Sequence, residues 1–98
     1  MSGNELVVLI NKQLGADFNE NISQQELQDK LFSFINDLIQ NDFQRLVAIL
    51  YKVDVDENKL KRILKEETDK DAAGIIAKLI IEREMDKVET RRKYKGKN

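Results

Sequence analysis

No proline interrupts the 98 residues, and glycine occurs only four times, at Gly3, Gly15, Gly74 and Gly96. Proline and glycine are the residues that most often end a helix or turn a strand. A chain with so few of them has little to stop a helix once started. What remains to be read is where the apolar stripes lie and which polar residues cap them.

Leu6, Leu9, Ile10 and Leu14 recur at helical spacing, and Gly15 stands where a C-terminal glycine belongs, which predicts a helix over 5–14. A polar loop, 16–21, follows. Ser23-Gln24-Gln25-Glu26 is a capping box: the Ser23 hydroxyl accepts from the Glu26 N–H, and the Glu26 carboxylate reaches back to the Ser23 N–H. Ile22 and Leu27 occupy the staple positions. A helix therefore starts at Gln24, with Leu27, Leu31, Phe34, Ile35 and Leu38 as its stripe, and runs to about Gln40.

Asn41-Asp42 leaves two alternatives open, a break with Asp42 as the next cap or a kinked continuation. From Phe43 to Tyr51 the chain is apolar nearly all round, the pattern of a central helix. Asp56 then caps a short helix carrying Leu60, Ile63 and Leu64, and Thr68 gives a weaker cap after a charged loop. The last helix opens apolar, Ala72 to Ile81, and turns charged from Glu82 with Met85 and Val88 as a thin stripe. The expected fold is all-α, a compact bundle of four to five helices with an extended charged C-terminal helix. Residues 1–90 form one domain, and 91–98 a basic, frayed tail. The core is expected from Leu31, Ile35, Leu38, Leu46, Leu50, Ile63, Leu64, Ile76, Leu79 and Ile80.

The chemistry that composition forbids is extensive. There is no histidine and no cysteine. Disulfides, thiolate and imidazole catalysis and most zinc sites are therefore out of reach. Asp54-Val55-Asp56-Glu57-Asn58 resembles the first half of a calcium loop, but Lys59 stands where the turn needs glycine and Lys65 where a bidentate Glu is needed. The carboxylate pairs Glu66/Glu67, Asp69/Asp71 and Glu82/Glu84 sit among lysines and arginines and read as solvated faces. No catalytic, cofactor-binding or metal-ligating residue is expected, and no cofactor. Phe34 and Phe43 read as core aromatics more readily than as a recognition face; Tyr51 is the exception, since its phenol wants a polar partner, for which Asp54 or Asp56 is at hand, in a structural or an interface role.

Charge is nearly balanced, −1 overall, but unevenly placed. Lys87, Arg91, Arg92, Lys93, Lys95 and Lys97 face a single acid, Glu89, over 87–98. Neither a targeting segment nor a run long enough to span a membrane is visible, so a cytoplasmic protein without membrane contact is expected.

Leu50-Tyr51-Lys52-Val53-Asp54-Val55-Asp56-Glu57 and Ile76-Ala77-Lys78-Leu79-Ile80-Ile81-Glu82-Arg83 resemble segments of a small bacterial family of uncharacterised helical proteins, over roughly residues 34–92. The resemblance implies a bacterial setting and carries no activity or site. Together these readings point to a non-catalytic protein–protein interaction module, with a homodimer through Ile81, Met85 and Val88 as one form of it. The alternative is an accessory nucleic-acid binder using Arg91, Arg92, Lys93, Tyr94, Lys95 and Lys97.

Overall fold

The structure is a computed structural model and describes residues 3–96. Five helices follow one another: α1 (Gly3–Leu14), α2 (Gln24–Asn41), α3 (Phe43–Val53), α4 (Glu57–Glu66) and α5 (Asp69–Gly96). The fold is an all-α bundle. Among the described residues no helix is long and apolar enough to cross a membrane.

Local chemistry explains each boundary. α1 ends at Gly15, whose φ of +64° lets the chain turn back so that the Ala16 N–H reaches the Asn11 carbonyl at 3.1 Å. The Asn11 side chain then holds the loop. Its Nδ2 donates to the Phe18 carbonyl at 3.0 Å and its Oδ1 accepts from the Phe18 N–H at 2.9 Å. Ser23 caps α2 as its sequence predicts, accepting from the Glu26 N–H at 3.2 Å. The reciprocal bond differs from the expected one: the Ser23 hydroxyl donates to the Glu26 carboxylate at 3.2 Å.

The Asn41-Asp42 alternatives resolve as a break. Asp42 leaves helical geometry at φ −154°, closes α2 through its own N–H, and caps α3 by accepting from the Arg45 N–H at 3.2 Å. Asp54 adopts the left-handed conformation (φ 67°) that ends α3. Asp56 caps α4, accepting from the Asn58 N–H at 2.9 Å.

The central helix is α5, not the segment 43–51 that reads as apolar nearly all round. α5 packs most extensively on α2 and also against α1, α3 and α4. Its 28 residues rise about 42 Å at 1.5 Å each, which matches the longest dimension of the molecule, 44 Å. The small residues Ala72, Ala73 and Ala77 are all buried and let neighbours approach closely. Ile76 and Ile80 follow on the same stripe, wholly buried. α1 contributes Leu6, Val7, Ile10 and Leu14 to the same core as Leu27, Leu31 and Ile35 of α2. Of the expected core, Leu64 and Leu79 are only half-buried.

Helix α5 continues to Gly96. Glu84 departs from the reading of the sequence. It is fully buried, although it lies in a stretch that reads as a solvated face.

A candidate interaction groove between α3 and α4

α3 buries Leu46, Ile49, Leu50 and Val53, which form one face of the helix. The rest of its apolar surface has no helix to cover it. Phe43 remains 43% exposed, so it is not the core aromatic that helical spacing suggests, and Tyr51, the exception among the aromatics, is 71% exposed. The Tyr51 hydroxyl does not bond to Asp54 or Asp56. Asp54 instead meets Arg83 of α5 at 3.1 Å, and Asp56 is occupied in capping α4. Phe34 behaves differently again: it is half-buried, packs edge-on against Phe18 at 6.1 Å, and lies under the Arg45 guanidinium at 5.8 Å. Arg45 also donates to the Leu14 carbonyl at 3.2 Å, which ties α3 to the end of α1.

The uncovered face of α3 looks across at α4. Phe43, Val47, Leu50 and Tyr51 line one wall of a groove, and Leu60 and Leu64 line the other with Val55 between them. The two helices are joined by only the residues 54–56, yet α3 packs mainly on α2, α1 and α5 while α4 packs on α5. Each helix follows its own contacts; between them Phe43 and Tyr51 stay exposed, Val47, Val55 and Leu64 are half-buried, and Leu50 and Leu60 are buried. The groove holds about 200 Å³. That is below the roughly 300–1,000 Å³ of sites that enclose small molecules, and suits one or two inserted side chains.

Its polar groups are few. Glu57 and Lys61 sit at its edge and pair with each other at 3.7 Å, both well exposed. Nothing in the groove provides a nucleophile with a base, or a set of converging carboxylates. Among the described residues no three acidic side chains gather where they could hold a metal ion. Chemically the groove can bind and little else.

The other sequence-derived candidates lie apart from it. Ile81 and Val88 are buried within the single chain and Met85 is half-buried against its core. They were expected to protrude because few core residues remained at that level. Of the basic segment, Arg91 and Lys93 are exposed on α5, whereas the side chains of Arg92, Tyr94 and Lys95 and the whole of Lys97 lie outside the described residues.

The groove itself was readable in part. A helix with apolar residues on more than one face needs more than one neighbour. The sequence shows that excess in α3; it does not show that the second neighbour is missing. Comparison with models of known protein families, with curated proteins and with solved structures finds no match.

Proposed function

We propose that the protein is a non-catalytic interaction module that receives apolar side chains of a partner protein in the α3–α4 groove. The observation that carries this reading is the joint exposure of Phe43 and Tyr51 on the wall of an open apolar groove. Large aromatics are the residues that most often anchor protein interfaces. Folding alone gives no reason to leave two of them in water on one helix face. The groove's size favours side chains over a free ligand.

The test is site-specific photocrosslinking in native cells. A photoreactive phenylalanine analogue replaces Tyr51 in one strain and the exposed Lys30 of α2 in another. The proposal expects a discrete protein adduct from position 51 that is absent from position 30 and survives nuclease treatment. Equal adduct patterns at the two positions would reject it.

A further inference from the structure

Resting on that reading, we infer that the α4 wall of the groove is a movable flap: α4 leaves α5 as one unit and widens the groove, while α3 stays in place.

The two walls are held very differently. α3 buries Leu46, Ile49, Leu50 and Val53, packs on α2, α1 and α5, and is tied to the end of α1 by the Arg45 guanidinium on the Leu14 carbonyl. α4 packs chiefly on α5. Of its ten residues only Leu60 and Ile63 are buried, each with 8% of its surface still exposed, and Leu64 is half-buried. Hydrophobic stabilisation follows the apolar area removed from water, so α4 is the helix that burial holds least. Polar groups do not make up the difference. Among the described residues, the side chains of α4 make no hydrogen bond or ion pair with another helix; Asp56 caps α4 itself, and Glu57 pairs with Lys61 one turn on.

The ends of α4 allow the motion. Asp54 holds its left-handed conformation and is fixed to α5 by Arg83 at 3.1 Å, so the turn falls on Val55 and Asp56. At the other end Glu67 is already extended, and Thr68 belongs to the next helix, whose Asp71 N–H it accepts at 3.2 Å. A few residues at element ends are enough to absorb such a rotation.

Opening carries Leu60 and Leu64 away from Val47 and Tyr51 and uncovers the part of α5 on which α4 packs. The volume of about 200 Å³ is then that of the closed groove, not a fixed limit on what enters it. Away from α5, ten residues are too few to keep a helix in water, so the opened α4 also loses its backbone hydrogen bonds. That loss makes the motion measurable.

The test is native-state hydrogen exchange of the full chain, followed by NMR at increasing urea below the unfolding transition. Amides 61–66 of α4 should exchange at least about a hundredfold faster than the slowest amides of 28–38 in α2, at rates nearly independent of urea, because a local opening exposes little surface. Amides 47–53 of α3 should follow α2. The chain has no cysteine, so a thiol reagent reads the same motion at a chosen side chain. Leu60→Cys should be labelled at least about tenfold faster than Ile49→Cys, again with little dependence on urea.

Equal exchange rates and equal urea dependence in α4 and α2, or equal labelling of the two variants, overturn the flap, since α4 then leaves only when the chain unfolds. Joint exchange of α3 and α4 ahead of α2 overturns the fixed α3 wall and the inference with it. Neither measurement involves a partner, so these failures leave the groove reading to be decided by photocrosslinking at position 51.

Discussion

Glu84 is 0% exposed and sits on the stripe of α5 that also buries Ile80 and Val88. Its neighbour one turn on, Lys87, brings Nζ to 3.0 Å from Oε2, with a side chain 27% exposed. The approach lies off the hydrogen-bonding direction, and neither carboxylate oxygen gains a hydrogen bond from the protein. A carboxylate in that position has lost its water and has recovered one ion pair. Breaking a buried pair from one side typically costs about 3–5 kcal/mol, and replacing it by apolar residues is often neutral or stabilising by about 1–4 kcal/mol. Here the lysine is partly in water, so its removal is worth less than the full range.

Lys87→Met, which strands the carboxylate, is expected to destabilise by about 2–3 kcal/mol. Glu84→Leu, close in size, is expected to stabilise by about 1–2 kcal/mol, because the lysine it releases already reaches solvent. At roughly 4–8 °C per kcal/mol for a domain of this size, the first lowers Tm by about 8–24 °C and the second raises it by about 4–16 °C. In the Glu84→Leu background, Lys87→Met should be nearly neutral. The assay is thermal and urea unfolding followed by circular dichroism at 222 nm, for the four members of the cycle. Destabilisation by Glu84→Leu greater than about 1 kcal/mol, or no effect of Lys87→Met in the parent, would refute the reasoning.

Ser23→Ala should cost about 0.5–2 kcal/mol, measured by urea unfolding, since it removes the cap on the Glu26 N–H. Leu31→Ala, at a wholly buried position, should cost about 2–5 kcal/mol in the same assay. Gly15→Ala should destabilise by about 1 kcal/mol or more, because its φ of +64° is strained for any side chain and its Cβ would come within 3.4 Å of the Arg45 guanidinium. Truncation after Thr90 should leave the thermal transition and photocrosslinking at position 51 unchanged; loss of the adduct would move the interaction to the basic end of α5.

Much of the architecture was legible in the order of residues, because local chemistry decides it. Ser23 and Asp56 are short polar side chains ahead of apolar runs, and each caps the helix that follows by a bond to a backbone N–H two or three residues on; Asp42, where the sequence leaves a kinked continuation open, is a cap by the structure. Gly15 ends α1 because glycine reaches positive φ without cost. No distant residue is needed for any of these. The absence of histidine and cysteine is likewise complete in the sequence, and it removes whole classes of chemistry before any fold is known.

Tertiary packing decided what periodicity could not. A stripe says which face of a helix must be covered, but not what covers it or whether a second apolar face finds a neighbour. α3 looked central and proved to be at the side, with Phe43 and Tyr51 in water, because α2 and α5 occupy its one covered face. Val88 looked bare and proved buried within the single chain. Glu84 looked like part of a solvated run and proved to lie inside, since the stripe that places Ile76 and Ile80 in the core carries whatever residue comes one turn later. Helical spacing is a property of the chain alone, whereas exposure depends on which other helices stand beside it, and the groove exists where α3 and α4 each follow different neighbours.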